Sequence, residues 1–166
     1  LPLLLSLDAK IILDGIKKRE QIPLNEFFIS YRKTKLKKGQ FIYSIKIPIY
    51  KENIFKAYKV SKRFDDDISS VCGSFNIKID NNKIKKIKIA YGGMSEIPKR
   101  AKNTEKILAN SDFSEIIFNK AIKNLEKDYK PIDDMRASKT YRMEVAKNLL
   151  MKCFLEIKNK KNIRLN

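Results

Sequence analysis

The feature that most constrains the fold is a set of three stretches in which apolar and polar residues alternate. These stretches cover residues 55–62, 68–79 and 84–93. A period of two places successive side chains on opposite faces of a strand, so each stretch predicts a β-strand. Asp80-Asn81-Asn82 predicts a tight turn between the last two strands. The pattern therefore predicts a small antiparallel sheet with one apolar face and one lysine-rich face.

After residue 93 the apolar spacing becomes helical. One helix is predicted over 99–110 and a second from Ser111 or Ser114. A third is predicted to begin near Ala137-Ser138. Its apolar stripe consists of residues spaced four apart and two flanking residues: Tyr141, Val145, Leu149 and Cys153, with Leu150 and Phe154. Strands followed by helices predict an α+β fold in which about three helices cover one sheet face.

The first fifty residues predict a separate, strand-rich part. A strand is expected over 9–13, and Asp14-Gly15 predicts a two-residue hairpin turn into a second strand over 16–22. Residues 1–7 resemble the end of a buried helix, and 40–48 alternate again as a strand. Residues 49–53 form a natural boundary. We therefore expect one subdomain over 1–50, an α+β domain over 54–158 and a charged tail over 159–166.

Composition excludes several classes of chemistry. The chain has no histidine, so Ser-His-Asp and Cys-His catalysis and His-containing metal sites are excluded. Two cysteines, Cys72 and Cys153, cannot hold an iron–sulfur cluster and are expected as reduced core residues of a cytoplasmic protein. No stretch reaches the length of a membrane span, so no membrane partner is expected. No side chain is predicted to act as a general acid or base.

The net charge of +18 raises nucleic acid as a partner. Of the 37 basic residues only seven are arginine. Arginine is better suited than lysine to bind phosphate and guanine through two parallel hydrogen bonds. The chain is also rich in Ile and Asn, which share A/T-rich codons with Lys. Genome composition alone suffices to produce this charge without any nucleic-acid function, so no nucleic-acid partner is expected.

Two short segments suggest chemistry without requiring it. Residues 64–67 (FDDD) offer adjacent carboxylates, but no second acidic cluster with ligand spacing supports a metal site. Residues 91–94 (YGGM) contain two glycines that allow positive φ or a close backbone approach. No phosphate-cradling motif surrounds them, so they indicate a strand-to-helix turn.

Several motifs in order resemble one known family. The arrangement SYRKT…FIYSIKIP…FKAYKVSKRFDDDISSVCGSF…IAYGGM…PKRA…DMRASKTYRMEVAKNLL is similar to the flavin subunit of the xanthine dehydrogenase family of molybdenum hydroxylases. The resemblance runs from about residue 1 to about residue 157. SYRKT and YKVSKRFDDDI are its most specific stretches. It includes the carbon monoxide dehydrogenase type of flavoprotein C-terminal domain.

The resemblance implies an FAD-containing oxidoreductase subunit. In this family, electrons arrive from a molybdopterin centre through two [2Fe–2S] clusters on partner domains or subunits, and the flavin passes them to NAD or another acceptor. The family's pyrophosphate-binding segment and its GNI…SP.GD stretch are expected upstream of Leu1. We therefore expect this chain to be a C-terminal fragment that binds FAD weakly and is inactive alone.

The resemblance also implies individual roles. Ile42 matches a position whose backbone contacts the adenine end of FAD, and Lys59 matches a lysine that lies against the flavin. Residues 63–67, including Arg63, Asp66 and Asp67, match a mobile loop beside the isoalloxazine ring. Tyr31 is a weaker candidate for lining the same site. Two alternatives stay open: a basic nucleic-acid-binding module, and a subunit-docking domain without cofactor.

Overall fold

The computed structural model describes residues 1–15, 18–63 and 66–161. The elements of the first fifty residues are, in chain order, α1 (Pro2–Ser6), β1 (Lys10–Gly15), β2 (Glu20–Pro23), α2 (Leu24–Phe27), β3 (Phe28–Ser30), β4 (Lys33–Thr34) and β5 (Gln40–Lys46). The later elements are β6 (Ile54–Val60), β7 (Val71–Asp80), β8 (Lys83–Gly92), β9 (Lys99–Arg100), α3 (Lys102–Leu108), α4 (Glu115–Lys123), α5 (Leu125–Asp128) and α6 (Lys139–Lys158).

The strands form three antiparallel groups. A three-stranded sheet has the order β2-β1-β5, β3 pairs with β4, and a four-stranded sheet has the order β6-β7-β8-β9. Neighbours in the larger sheet follow one another along the chain, so short connections suffice. Helices and antiparallel sheets together confirm the predicted α+β class. Of the described helices, none is long and apolar enough to cross a membrane.

The main core lies between one face of the large sheet and the later helices. Phe75, Ile77 and Ile89 on β7 and β8 are fully buried there, and Leu150 and Phe154 of α6 pack against them. Alternation along the strands directs these side chains to one face, where burying a large apolar side chain contributes roughly 1.5–3 kcal/mol. The predicted dry face is therefore the face that the helices cover.

The opposite face of the sheet is only partly the open, lysine-rich surface that alternation predicts. Helix α1 lies across its middle, where the hydroxyls of Ser6 and Ser74 are 2.7 Å apart and the amide of Asn76 donates to the Ser6 carbonyl at 3.0 Å. Pro2, Leu5 and Ser6 are buried, as expected for residues 1–7. The lysine-rich surface is thereby divided into two open ends.

The predicted hairpin turn at Asp14-Gly15 is wrong. Both residues lie inside β1, where Asp14 pairs with Phe41 and Gly15 with Gln40 of β5. The pairing of β1 with β2 ends earlier, at Leu13 and Glu20. A second partner strand, distant in sequence, extends β1 past the residues that look like a turn. Only Glu20–Pro23 of the predicted strand 16–22 is a strand, and residues 16 and 17 lie outside the described range.

Two later boundaries also differ from expectation. The predicted helix over 99–110 begins as the short strand β9, which pairs with β8, and continues as α3 only from Lys102. The predicted strand over 68–79 begins at Val71, because the preceding residues belong to an irregular connection. In the first case tertiary pairing overrides the local pattern. In the second, the strand begins where its pairing with β6 begins, at Val71 opposite Val60.

The third predicted helix is confirmed, but its buried face is rotated. Ser138 caps α6 by accepting a hydrogen bond from the Tyr141 backbone N–H at 3.2 Å. Tyr141, predicted to lie on the buried stripe, is 49% exposed. Arg142 and Ala146, which directly follow Tyr141 and Val145 in the chain, are buried instead. An arginine among the buried residues of α6 was not predicted, and it is central to the candidate site.

Candidate functional site

The site is built around the connection between β6 and β7. Lys59, near the end of β6, pairs in register with Cys72 near the start of β7. In the connection, Ser61 Oγ donates to the Arg63 carbonyl at 2.8 Å, and the Arg63 N–H donates to Asp67 Oδ2 at 3.1 Å. These local bonds link Arg63 to Ser61 and to Asp67. The described residues of this connection, 61–63 and 66–70, are called the β6–β7 loop below.

Two charges of the β6–β7 loop, those of Arg63 and Asp67, pair with each other. The guanidinium of Arg63, 75% exposed, lies 3.8 Å from the Asp67 carboxylate. The Arg63 N–H, and to a smaller degree its guanidinium, hold the pKa of Asp67 below its ordinary value. Asp66 is exposed and has φ of 47°, the left-handed region that Asp tolerates better than most residues. Asp65, the first carboxylate of the triplet, lies outside the described residues.

A second segment, residues 133–138, fastens the β6–β7 loop from the other side. Lys62 Nζ donates to the Met135 carbonyl at 2.8 Å, and Ser70 Oγ donates to the Arg136 carbonyl at 3.5 Å. The segment is itself a tight turn, because Asp134 Oδ1 accepts from the N–H groups of Arg136 and Ala137. The two segments enclose an open cleft of about 500 Å³ lined by Lys62, Met135 and Tyr141, among others.

Arg142 connects all of these parts. Its side chain is 4% exposed, and NH1 donates to the carbonyls of Ser70 at 2.5 Å and Gly93 at 3.0 Å. NH2 donates to Asp134 Oδ1 at 2.6 Å. One guanidinium thus joins the start of β7, the end of β8 and the turn before α6. Charge-assisted hydrogen bonds of this kind are about twice as strong as neutral ones.

Gly93 allows this arrangement. Its φ is 80°, and a Cβ at this position would overlap the Ser70 carbonyl oxygen and approach the Arg142 guanidinium. Only glycine combines this backbone conformation with such a close approach. The second glycine of YGGM is therefore a structural requirement of the site. The turn predicted for that motif is present, but it leads to strand β9 and not directly to a helix, so the predicted strand-to-helix connection is wrong.

Lys59 lies on the open end of the sheet face that α1 leaves uncovered. Its side chain is exposed, beside the small exposed Ala57 on the same face and opposite the half-buried Cys72. Within the described part of the chain, Lys59 has no carboxylate within 4.0 Å. Burial raises the pKa of Cys72, and nearby positive charges, of which the Lys59 ammonium is the smaller contribution, oppose that rise. Among the described residues, this end of the sheet face therefore presents the Lys59 ammonium beside the small, uncharged side chains of Ala57 and Cys72.

The two remaining predicted residues lie elsewhere. Ile42 is in β5 of the three-stranded sheet, where it pairs with Leu13 and is 47% exposed. Tyr31, 64% exposed, lies between β3 and β4, and its N–H donates to Glu96 at 2.9 Å. The structure therefore joins Arg63 to Asp67, places Asp66 in the same loop and Lys59 on the strand that precedes it, and leaves Ile42 and Tyr31 on separate elements.

Two features of the site were not predicted from the sequence. Cys153 is buried as expected, but Cys72 is not a core residue, because it faces away from the helices on the side of Lys59. The strand register carries that information, since Cys72 is out of phase with buried Val71 and Phe75. Arg142 lies within the family motif DMRASKTYRMEVAKNLL, but the sequence predicted no role for it. Among the described residues, no group of three His, Cys, Asp or Glu side chains could hold a metal ion.

Comparison with known proteins places the chain in a family. Residues 56–157 match the family described as CO dehydrogenase flavoprotein C-terminal domain, and residues 1–50 match the FAD binding domain in molybdopterin dehydrogenase. The chain belongs to this family of flavoproteins. It is part of the flavin component of a molybdenum hydroxylase, as its motifs predict. FAD is the cofactor of that component.

Curated relatives include a xanthine dehydrogenase of Dictyostelium discoideum, 36% identical over 128 residues that cover 69% of this chain and 9% of the relative. The glyceraldehyde dehydrogenase medium chain of Sulfolobus acidocaldarius is 30% identical over 154 residues, covering 93% of this chain and 54% of the relative. This chain thus spans from about a tenth to about half of the length of these relatives.

Solved structures share the fold. Carbon monoxide dehydrogenase from Hydrogenophaga pseudoflava superposes with a TM-score of 0.85 at 19% identity, covering 90% of this chain and 52% of the other. Quinoline 2-oxidoreductase from Pseudomonas putida 86 superposes with a TM-score of 0.82 at 18% identity, covering 98% of this chain and 56% of the other. The fold is therefore that of a CO dehydrogenase flavoprotein.

Proposed function

We propose that this chain is part of an FAD-containing oxidoreductase subunit of the xanthine dehydrogenase type. In this proposal the subunit accepts electrons from [2Fe–2S] clusters of a molybdenum hydroxylase and passes them to NAD or another acceptor. The observation that carries the proposal is Lys59, an exposed cation beside the β6–β7 loop, within the region that matches the flavoprotein family.

The residues around Lys59 fit one edge of a flavin. An ammonium without a carboxylate partner can donate a hydrogen bond to a ring carbonyl and offset negative charge there. Ala57 and Cys72 on the same face are small and uncharged, so they leave room for a flat ring system. Bound FAD would supply the redox chemistry, and the protein would supply orientation and electrostatics.

The β6–β7 loop would set the local charge beside the ring. We propose that Arg63, Asp66 and Asp67 influence the flavin potential, since two of them are exposed and none is locked into the core. The cleft of about 500 Å³ between this loop and residues 133–138 is the proposed approach for NAD or another acceptor. Ile42 is proposed to contact the adenine end of FAD through its backbone, and Tyr31 to line the site.

We further propose that residues 1–50 are the C-terminal part of the second FAD-binding subdomain, that residues 54–158 form the flavoprotein C-terminal α+β domain, and that residues 159–166 are a charged tail. The iron–sulfur and molybdopterin centres would lie on partner domains or subunits. Cys72 and Cys153 are free thiols, which supports a cytoplasmic location, because reducing compartments keep thiols unpaired.

Docking of a partner domain without cofactor contact is the second candidate. Strand β5 favours it, since all but the first of its residues are exposed although the strand is largely apolar. Phe41, Ile42, Tyr43 and Ile45 are each between 46% and 55% exposed. Apolar surface of this extent is typical of a surface that another domain or subunit covers.

The test is the Lys59→Ala substitution in the full-length protein with its partner subunits. Loss of one charge-assisted hydrogen bond predicts roughly ten- to a hundredfold weaker FAD binding, measured by flavin retention on dilution. Lys120→Ala is the matched control, because Lys120 is an exposed lysine on α4 and its substitution should leave flavin retention unchanged.

The readouts separate the two candidates. Co-purification of the partner subunits should be unchanged in Lys59→Ala if the residue serves the flavin. Unaltered FAD retention and unaltered flavin reduction rates in Lys59→Ala would refute the assignment of Lys59. Lost subunit association with normal flavin content would favour docking instead.

A further inference from the structure

A second cleft lies on the same face of the large sheet, on the other side of α1. It encloses about 460 Å³, and four of its lining residues are lysines: Lys51, Lys78, Lys86 and Lys88. We propose that this cleft binds a phosphate-type oxyanion. The flavin proposal does not require this site, and the evidence for the site comes only from the residues that line it.

Strand register brings the lysines together. Lys78 of β7 lies directly opposite Lys86 of β8, and Lys88 follows on the same face of β8 opposite Asn76. Like charges directly across a strand pair destabilise a sheet, because their Cβ atoms are only about 5 Å apart. An arrangement of this kind gains free energy when negative charge is bound between the ammonium groups.

The protein supplies only part of that negative charge. Lys88 Nζ is paired with Asp8, and Lys78 Nζ lies 2.5 Å from Glu52 Oε2. Asp8 is shared, since Arg100 NH1 also lies 3.1 Å from its carboxylate. In the structure as described, Lys51 and Lys86 have no carboxylate within 4.0 Å. Four lysines thus face two carboxylates in the lining, which leaves an excess of two positive charges.

Neutral groups form a fixed floor for the cleft. Asn53 Nδ2 donates to Asn76 Oδ1 at 2.7 Å, and Asn76 Nδ2 donates to the Ser6 carbonyl at 3.0 Å. The Tyr50 hydroxyl accepts from Lys88 Nζ at 3.2 Å. The volume lies in the range of ligand pockets, roughly 300–1,000 Å³, and suits an anion of several atoms. Lysines act as point-charge binders of phosphate and do not require bidentate geometry.

This cleft is remote from the candidate flavin site. Cys72, opposite Lys59, and Lys78 are six residues apart on one strand, a separation of roughly 20 Å at about 3.4 Å per residue. Helix α1 covers Ser74 and Asn76 between them. An anion held in the cleft would therefore not overlap a flavin held at Lys59.

The probe is inorganic pyrophosphate, titrated by calorimetry into the full-length, FAD-loaded protein at low salt. Lys86→Gln should weaken binding about tenfold, as expected for one lost charge-assisted contact, and Lys51→Gln should weaken it in the same direction. Lys85→Gln is the matched control. Lys85 is the bulged residue next to Lys86, pairs with Asp80 at 3.8 Å and does not line the cleft, so less than about a twofold effect is expected.

A second probe, ADP, distinguishes the source of the oxyanion. Tighter binding of ADP than of pyrophosphate, lost in Lys86→Gln, would assign the site to a nucleotide phosphate. Equal or weaker binding of ADP would assign it to a free oxyanion. Absence of saturable pyrophosphate binding at roughly millimolar concentration would overturn the proposal, and so would equal weakening by Lys86→Gln and Lys85→Gln, since that result indicates diffuse charge.

Discussion

Arg142 should be the residue on which the stability of the candidate site depends most. Replacing it with alanine removes the donors to the Ser70 and Gly93 carbonyls and to the Asp134 carboxylate. The two carbonyls would lose a charged donor at about 1–2 kcal/mol each. The lost packing of a nearly fully buried side chain adds a further term, so we expect the free energy of unfolding to fall by about 3–5 kcal/mol.

The contribution of Asp134 to this figure is small, because its side chain is 31% exposed and water screens the ion pair. Arg142→Lys should destabilise less than Arg142→Ala. A lysine keeps the charge but lacks the planar fork that reaches two carbonyls and a carboxylate at once. Urea unfolding of the full-length protein measures both differences. Lys139→Ala, an exposed position one turn earlier on α6, is the control and should change stability by less than about 0.5 kcal/mol.

Hydrogen exchange locates the effect. In Arg142→Ala the amides of the β6–β7 loop and of residues 133–138 should exchange faster than in the parent protein, because the guanidinium is the group that joins them to the sheet. A loss of stability below about 1 kcal/mol, or unchanged exchange in these two segments, would refute the role assigned to Arg142.

Two further outcomes are expected. Gly93→Ala should destabilise by more than about 2 kcal/mol in urea unfolding, because φ is 80° and the added Cβ meets the Ser70 carbonyl. Gly92→Ala is the comparison and should cost less, because φ is not positive there and the added Cβ meets only the Pro2 side chain, at 3.1 Å. The pKa of Asp134 is held below its ordinary value, first by the Arg136 N–H, so its contribution to stability is present above the unfolded pKa of about 3.9 and is lost as pH falls through the lower folded value. Asp134→Asn should therefore lose less stability between about pH 5 and pH 2 than the parent, and an identical acid slope in both proteins would contradict this account.

Much of the larger domain was predictable because its signals are local. Alternation in three stretches predicts β6, β7 and β8, and Ser138 predicts the start of α6 by its capping chemistry. The order of motifs predicts the family, since several short stretches in a fixed order are specific even where identity is low. The charged character of the 59–67 region could also be seen, although its pairing could not.

Other features depend on partners that are distant in the chain. Asp14-Gly15 has the composition of a hairpin turn, yet β5, whose pairing begins 25 residues later at Gln40, makes both residues part of a strand. Local propensity is a weak prior when a second strand can pair. In the same way α1 converts the middle of the lysine-rich sheet face into an interface through Ser74 and Asn76.

The sequence by itself determined the α+β class, the main strands and helices, the family, the lysine-rich sheet face and the charged 59–67 region, because periodicity and motif order are properties of neighbouring residues. Only the tertiary structure decided that Arg142 is buried, that Gly93 must be glycine and that Lys78, Lys86 and Lys88 share one cleft. An arginine is ordinarily exposed, and its burial is possible only where carbonyls from separate elements meet its donors. The meeting of these carbonyls at Arg142 depends on packing between residues far apart in the chain. The pairing of Lys78 with Lys86 depends in the same way on the register of β7 against β8.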